Sequence, residues 1–300
     1  MAAQLRIYRQ KIRSAQTTKK ITRAMELISA SRIAKALGRV NEAEPYTTEL
    51  SRAAALVAHH SNVQHALTSE PESITRAAVV LFTSDRGLAG AFNSQVIRAA
   101  LQLETLLQQQ GKEVSWFLVG RKAVGYFDFR RREYLDSWIG ETDEPQFELA
   151  QQIGQKIIET FFTHEADGGV NEVHLVFNQF VSSITQTPTV RRLLPLEIEG
   201  KVEDPSIPAP PVLRAEYEFE PNAATVLDAL LPAYIESRVF YALLQSAASK
   251  HAATQKAMKS ASDNADKLIT NYTRLANNAR QAEITQQISE IVGGADALAS

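Results

Sequence analysis

The most constraining feature of the chain is a stretch from Ile235 to Val292 that contains neither glycine nor proline. At about 1.5 Å of rise per residue, one helix over these roughly 58 residues would be about 87 Å long, which is wider than a compact domain. A helical pattern of this length without a stop signal is typical of a coiled coil, a helical repeat or a membrane span. Charged residues such as Lys256, Asp263 and Arg274 exclude the membrane span. The C-terminal region is therefore predicted to be a rod.

Apolar residues recur along this rod at alternating spacings of three and four, the a/d pattern that winds two helices into a left-handed supercoil. The predicted seam consists of Met258, Ala261, Ala265, Leu268, Tyr272, Leu275, Ala279 and Ala282. Because a seam needs a second helix to pack against, the rod is predicted to pair with another long helical segment.

The N-terminal segment is the predicted partner, because residues 3–37 also lack glycine and proline. Its apolar stripe falls into three blocks that shift by a residue or two relative to one another. The blocks are Leu5, Tyr8, Ile12 and Ala15, then Ile21, Met25 and Ile28, then Ile33, Leu37 and Val40. The alternative is an ordinary amphipathic helix on a globular body, but a body of this size could not cover so long a face. We therefore expect the two ends of the chain to form an antiparallel pair around an inserted domain.

The middle of the chain alternates between strand and helix patterns. Ala77–Phe82, Trp116–Val119 and Val173–Phe177 are apolar runs of the kind that form buried parallel strands. Helical spacing follows the first run from Asn93 to Gly111 and precedes the third from Phe147 to Phe162. This order predicts an open, mostly parallel α/β sheet with helices packed on it.

The end of this region is marked by a possible sheet edge and a linker. The segment Val181–Leu196 could add one or two antiparallel edge strands. Four prolines then fall within seven residues and predict an extended connection: Pro205, Pro208, Pro210 and Pro211. Pro221 and Pro232 bracket a short transition into the long helix, and Pro232 can lie near the N-terminal turn of that helix, where its missing amide hydrogen costs nothing.

Charge and cysteine content exclude several functional classes. The chain has no cysteine, which rules out disulfides, thiolate metal sites and cysteine nucleophiles. Up to Arg39 it carries ten basic residues against one acidic residue, Glu26. These basic residues lie all round the predicted helix without interleaved aromatic residues, so nucleic-acid binding is not expected. A solvated face, an anionic membrane contact and an acidic protein partner stay open. The sequence shows neither a signal peptide nor a spanning helix.

No residue pattern in the chain indicates catalysis. The loop Ser84–Gly90 follows a predicted strand and precedes a helix, where doubly wound folds bind phosphate. It matches neither G-x-G-x-x-G nor G-x-x-x-x-G-K-[ST], and Arg86 beside Asp85 could form a local ion pair instead. The six histidines have no partner at metal-ligand spacing, and no nucleophilic triad or carboxylate pair stands out. We therefore predict no catalytic residue, no cofactor and no metal.

Three segments resemble the gamma subunit of F-type ATP synthases, the rotor stalk at the centre of the catalytic head. They are residues 17–31, reading TTKKITRAMELISAS, residues 83–90, reading TSDRGLAG, and residues 279–295, reading ARQAEITQQISEIVGGA. The matches occur in family order and lie at both ends and in the middle, so the resemblance covers essentially the full chain.

The resemblance implies an α/β fold: a long antiparallel left-handed coiled coil of the N- and C-terminal helices plus an inserted Rossmann-like α/β domain without bound nucleotide. The predicted domains are an N-terminal coiled-coil helix at 1–60, the Rossmann-like domain at 75–200, a proline-rich linker and transition at 201–232, and a C-terminal coiled-coil helix at 233–300.

The function implied by the resemblance is that of a central rotary stalk, a non-catalytic subunit that couples proton flow through the membrane c ring to ATP synthesis or hydrolysis at the alpha/beta head. The implied partners are the alpha and beta subunits, the epsilon subunit and the c ring, with no nucleic acid and no direct membrane insertion. The implied location is the cytoplasmic face of a bacterial plasma membrane. Two alternatives stay open: the central-stalk subunit of a vacuolar-type ATPase, and a nucleotide-binding Rossmann-like enzyme.

The matching terminal runs also contain the predicted contact residues. Partner contact and coupling are predicted at Arg23, Met25, Arg280, Gln281, Thr285 and Glu290. Just beyond the end of the heptad seam, an apolar patch is predicted to form a bearing against a surrounding collar: Ile284, Ile288, Ile291 and Val292. Apolar contacts are non-directional and suit a rotating surface, whereas Arg280, Gln281 and Thr285 offer directional hydrogen bonds that could hold the stalk at particular angles.

The chain departs from the common family pattern at several positions. Gln287 stands where many relatives have glutamate, so an ion pair there is reduced to a neutral hydrogen bond. Lys250, Thr254 and Gln255 differ from the usual acidic and Arg-Met residues. The absence of cysteine excludes the thiol switch of plant chloroplast relatives.

Overall fold

A computed structural model describes residues 2–60, 74–164, 167–196, 220 and 222–299. The helices are α1 (Ala2–His60), α2 (Phe92–Gln109), α3 (Arg121–Phe129), α4 (Phe147–Phe162) and α5 (Ala223–Ala299). The strands are β1 (Arg76–Phe82), β2 (Glu113–Val119), β3 (Asp136–Trp138), β4 (Glu172–Phe180) and β5 (Gln186–Leu194). The four-proline run of the predicted linker lies outside the described residues.

The five strands form one sheet in the order β3-β2-β1-β4-β5. Strands β1, β2, β3 and β4 run parallel to one another, and β5 pairs antiparallel with β4 at the edge of the sheet. This arrangement confirms the predicted mostly parallel sheet with an antiparallel edge strand. The short elements α3 and β3 were not predicted, because nine and three residues carry too few periodic positions to stand out.

Helices cover both faces of the sheet, so its central strand β1 is buried from Ala77 to Phe82. Ala78 and Val80 belong to a core cluster that includes residues of α1, α4 and α5. Ala77 and Val79, on the opposite face, belong to a second cluster with residues of α2 and α3. We call residues 76–194, which comprise the sheet and α2 to α4, the α/β body.

Helix α5 begins earlier than expected. Its first turn is capped by Asn222, whose Oδ1 atom accepts a hydrogen bond from the backbone amide of Thr225 at 2.9 Å. Pro232 therefore lies inside the helix, and its predicted position near the N-terminal turn was wrong. The helix tolerates this proline because Leu227 and Leu231 are fully buried in the core of the α/β body, which holds the N-terminal turns in place.

The chain divides into two compact units, each held together by contacts among its own residues. One unit contains α1 up to Ala30 together with α5 from Thr254 onward, and we call it the terminal helix pair. The other unit, residues 31–253, contains the α/β body with the adjoining parts of α1 and α5. In the described residues, no helix combines the length and hydropathy needed to cross a membrane.

Candidate functional site

The terminal helix pair is antiparallel. Tyr8 stacks on Tyr272 with ring centroids 6.4 Å apart, and the Lys11 ammonium lies 5.1 Å from the centroid of the same Tyr272 ring. Farther along α1, Lys19 donates a hydrogen bond to Asp266 at 2.6 Å. Partners of later α1 residues thus come earlier in α5, which confirms the predicted antiparallel pairing.

The buried and half-buried positions of α5 from Met258 onward include an unbroken heptad repeat, displaced in part from the predicted seam. The repeat consists of Met258, Ser262, Ala265, Ile269, Tyr272, Ala276, Ala279 and Glu283. Six of the eight predicted members are buried or half-buried, including Ala261 and Leu275 beside this repeat, whereas Leu268 is 47% exposed and Ala282 is also exposed. Leu268 and Ile269 are adjacent apolar residues, and only one of two adjacent helical residues can face the partner helix.

The stripe of α1 is also continuous and does not slip. In the terminal helix pair its buried and half-buried positions include the repeat of Leu5, Tyr8, Ile12, Ala15, Lys19, Thr22, Glu26 and Ser29. In the predicted block of Ile21, Met25 and Ile28, Met25 is half-buried, but the prediction was wrong for the two isoleucines, because Ile21 is 56% exposed and Ile28 is 51% exposed. Polar residues take the inward positions of this stretch, which leaves apolar side chains on the outward surface.

Arg23, a predicted coupling residue, is joined to the single acidic residue of the basic end. Its Nη1 atom donates to both carboxylate oxygens of Glu26, at 2.9 and 2.8 Å. The Glu26 side chain is only 12% exposed, whereas that of Arg23 is 59% exposed. Arg23 thus neutralises a buried carboxylate and still presents part of its guanidinium to the exterior. Met25, predicted beside it, is half-buried.

Basic side chains of α1 gather on one open groove of the terminal helix pair. Lys19, Lys20 and Arg23 line it with Gln16, and α5 contributes Asp266 and Ile269. The groove combines three cations with one carboxylate, and that carboxylate is already paired with Lys19. This surface is electrostatically suited to an acidic protein segment.

The predicted contact residues near the C-terminus lie on exposed turns of α5. Arg280 and Gln281 are exposed, and the Gln281 carbonyl accepts a hydrogen bond from the Thr285 hydroxyl at 3.0 Å. Glu290 accepts a hydrogen bond from the Gln286 side-chain amide at 2.9 Å. Thr285 and Glu290 are therefore partly engaged within their own helix, while Arg280 presents an exposed charge to a neighbour or to solvent.

The predicted bearing residues are also exposed. The exposed fractions are 45% for Ile284, 55% for Ile288, 72% for Ile291 and 55% for Val292. Ile284, Ile288 and Ile291 follow the four-and-three spacing of one helix face. An apolar face of this kind is typical of a surface that another protein covers.

The loop Ser84–Gly90 forms several hydrogen bonds with other parts of the α/β body. The Ser84 amide donates to Asn93 Oδ1 at 3.0 Å, and the Asp85 amide donates to the Thr142 hydroxyl at 2.9 Å. Burial alone would raise the pKa of Asp85, but hydrogen bonds from Thr142 and from the backbone amides of Gly140, Thr142 and Arg121 outweigh it and hold the pKa below its ordinary value. Amides that would cradle a phosphate are thus directed at side chains of the protein.

Helix α5 contacts the carboxyl end of β4, beside the crevice where an open α/β sheet would bind a nucleotide. The Ser249 hydroxyl donates to the carbonyl of Asn178, and the amide of Phe180 donates to Gln245 Oε1, both at 3.0 Å. Ala253 packs with Ala89 of the loop and Phe92 of α2. The loop and the end of β4 thus contribute to the packing of α5.

The histidines that the structure describes in detail make local contacts. His251 Nε2 lies 3.0 Å from the carbonyl oxygen of Asp143, and burial lowers the pKa of His251. His174 Nε2 lies 3.1 Å from Glu172 Oε1, as an ion-pair contact without hydrogen-bond alignment. Within the described ranges no cluster of three histidine, aspartate or glutamate side chains could hold a metal ion.

Comparisons with known sequences cover the chain from end to end. The family model described as ATP synthase matches residues 4–298. A protein named ATP synthase gamma chain from Leifsonia xyli subsp. xyli is 64% identical over 300 residues, covering 100% of this chain and 99% of that protein. The ATP synthase gamma chain of Streptomyces avermitilis is 55% identical over 299 residues, covering 100% and 97%.

Solved structures share the fold at low sequence identity. A chain of the Euglena gracilis mitochondrial ATP synthase, from an assembly of OSCP, F1 and c ring in rotational state 3, aligns with a TM-score of 0.68 and 15% identity, covering 99% of this chain and 95% of that chain. A chain of the Tetrahymena thermophila mitochondrial ATP synthase central stalk and c ring aligns with a TM-score of 0.57 and 21% identity, covering 81% and 99%.

Proposed function

The chain belongs to the family of ATP synthase gamma chains, and from this premise we infer that it is the central rotary stalk of a proton-translocating F-type ATP synthase. The structural observation that carries this inference is the antiparallel pair formed by the two ends of one chain, with an α/β body inserted between them. The chain couples proton flow through the c ring to ATP synthesis or hydrolysis at the alpha/beta head. It is a rotor subunit of that complex and not its catalytic part.

The geometry suits this role because a stalk needs stiffness and a surface that differs from one side to another. Helix α5 is a single element of 77 residues, and the heptad seam fixes its register against α1. The basic groove adds a local positive surface to the helix pair, while outward Ile21 and Ile28 provide apolar contacts. An asymmetric rotor of this kind presents a different surface to each catalytic site as it turns.

We propose that the residues predicted from the terminal runs contact the alpha/beta head. Arg23 and its basic neighbours are suited to acidic loops of that head. The half-buried Met25 is proposed as a further contact. The exposed Ile284, Ile288, Ile291 and Val292 would form the apolar bearing. Arg280 and Gln281, with Thr285 and Glu290 on the following turns, would form the directional contacts. The exposed position of most of these side chains supports this division.

We also propose the location and the remaining partners. The two sequence relatives named above, from Leifsonia xyli and Streptomyces avermitilis, are bacterial. This supports a peripheral position on the cytoplasmic face of the bacterial plasma membrane. The partners are the alpha and beta subunits and the c ring, and the epsilon subunit is proposed at the foot of the stalk.

The domain limits at 1–60, 75–200, 201–232 and 233–300 stay a proposal about folding units.

Isolation from membranes through an affinity tag on this chain tests the function. The expected result is recovery of alpha, beta, epsilon and c subunits in one complex with ATPase activity. A vacuolar-type stalk would bring a different set of catalytic subunits. A free nucleotide-dependent enzyme would be recovered alone and would bind adenine nucleotides in a titration of the purified chain.

A further inference from the structure

The loop between β3 and α4 contacts three separate parts of residues 31–253. We call residues 140–146 the clasp loop. Thr142 exchanges hydrogen bonds with Asp85 in the loop after β1, at 2.7 Å from its hydroxyl and 3.1 Å from its amide. The next residue, Asp143, accepts a hydrogen bond from Lys250 of α5 at 2.7 Å. One turn of chain thus joins the α/β body to α5.

The clasp loop also holds α1. Lys35 donates to Glu144 at 2.5 Å, and the Arg39 guanidinium donates to the carbonyl oxygen of Pro145 at 2.5 Å. Four consecutive residues, 142 to 145, therefore bind the loop after β1, helix α5 and helix α1 in turn. Such a loop fixes the α/β body against both long helices at a single point.

The contact between Lys250 and Asp143 is the less exposed of the two ion pairs that join the clasp loop to the long helices. The Lys250 side chain is 7% exposed and that of Asp143 is 25% exposed. The Arg86 Nε atom lies 3.8 Å from the second carboxylate oxygen of Asp143. By contrast, the side chains of Lys35 and Glu144 are 67% and 56% exposed. Because solvent screens an exposed pair, the buried pair should dominate the hold of the loop.

We propose that Asp143 and Lys250 are positioning residues for torque transmission, which lock the α/β body onto the two long helices. The proposal rests on the function proposed above, because only a rotor loads this connection. The carboxylate of Asp143 then acts through its contact with Lys250 of α5.

Three single substitutions distinguish the effect of the Asp143–Lys250 pair from that of the other contacts of the clasp loop. Asp143→Asn leaves the buried Lys250 ammonium without this carboxylate, and hydrogen exchange of residues 140–146 in the isolated full chain is expected to accelerate by on the order of 100-fold or more. Lys250→Met removes the buried charge and leaves a quarter-exposed carboxylate near Arg86, so a smaller acceleration is expected. Lys35→Met breaks an exposed pair in the same loop and is the matched control, with exchange close to wild type.

The double variant Asp143→Asn with Lys250→Met tests the cause. Removing the ammonium should relieve the defect, so exchange in the double variant is expected to return to the rate of Lys250→Met alone. General damage to the loop would not be relieved by a second change on α5. A double variant that exchanges as fast as Asp143→Asn, or faster, would overturn the assignment of the lock to this charge pair.

The functional readout is the number of protons pumped per ATP hydrolysed, measured in membrane vesicles that contain the whole complex. Asp143→Asn should lower this ratio, Lys250→Met should lower it less, and Lys35→Met should leave it unchanged. Faster exchange in Asp143→Asn with an unchanged ratio would overturn the positioning role. Failure of the wild-type chain to assemble with alpha and beta subunits would refute the proposed function instead, and the exchange rates would still report on the lock.

Discussion

Replacing Glu172 with glutamine is expected to destabilise the α/β body by about 3 kcal/mol at pH 7. Glu172 begins β4 and its side chain is only 6% exposed; its carboxylate accepts a hydrogen bond from Lys112 at 2.5 Å and contacts His174 at 3.1 Å. Burial alone would raise the pKa of Glu172, but the contact with His174, the hydrogen bond from Lys112 and their charges outweigh it and lower the pKa from 4.5 to about 2.

The magnitude and the pH dependence follow from this pKa. A carboxyl with a lowered pKa in the folded state stabilises the protein above its unfolded pKa, and the contribution is lost as the pH falls toward the folded value. The difference between 4.5 and about 2 corresponds to about 3 kcal/mol, since one pH unit is worth about 1.4 kcal/mol. The wild-type chain should therefore lose this stability between about pH 5 and pH 2, and Glu172→Gln should not.

Urea unfolding of the full chain measures the effect directly. The two tryptophans, Trp116 and Trp138, both lie in the sheet of the α/β body, so their fluorescence reports on this region. The matched control is Glu113→Gln, because Glu113 pairs with Arg76 at 2.7 Å but its side chain is 73% exposed. This control should change stability by less than about 1 kcal/mol.

The reasoning fails if the difference between wild type and Glu172→Gln stays constant from pH 7 to pH 3. A constant difference would mean that lost packing, and not lost charge, explains the change. A control variant as unstable as Glu172→Gln would equally refute the argument, because exposure would then make no difference.

Three further predictions concern the terminal helix pair. Ala265 is 4% exposed, so Ala265→Leu should overpack the seam and lower stability by about 1–3 kcal/mol; Leu268→Ala, at an outward position, should change the thermal midpoint by circular dichroism far less, and equal shifts would refute the seam register. Arg23→Gln should lower the ratio of proton pumping to ATP turnover more than it lowers recovery of the complex, and normal pumping would return the basic end to a solvated face. Replacing Ile288 and Ile291 with alanine should leave ATP turnover largely intact, whereas replacing Arg280 and Gln281 should slow or uncouple it; the reverse order would refute the division between bearing and directional contacts.

The sequence predicted the elements of the α/β body that have long apolar patterns. Helix α4 has the predicted limits, Phe147 to Phe162, and β1 differs by one residue at its start. Both carry several consecutive periods of burial, so the pattern was unambiguous. The sequence pattern predicts too late a start for α5, because a proline usually marks a helix boundary, whereas buried leucines and the Asn222 cap extend this helix on the N-terminal side of Pro232.

The seam and the clasp loop show what hydrophobicity cannot predict. Leu268 and Ile269 are equally hydrophobic and fit an apolar pattern equally well. Only packing against the partner helix decides which of them faces the seam. Thr22, Glu26 and Ser29 occupy inward positions that a search for apolar residues passes over. The lock between Asp143 and Lys250 joins residues that are 107 positions apart, and no local spacing rule indicates such a contact.

Pairing the two chain ends has a consequence for synthesis on the ribosome. The stretch of α1 that ends at Ser29 emerges first, but its partner around Ser262 emerges roughly 230 residues later, about 10 to 50 s at ordinary translation rates. During that interval the nascent helix lacks the second helix of the coiled coil, which would cover its inward face. Lys19, Thr22, Glu26 and Ser29 make part of this face polar, which reduces premature association with other nascent chains, while Ile21 and Ile28 on the outward face still need a chaperone or an assembly partner.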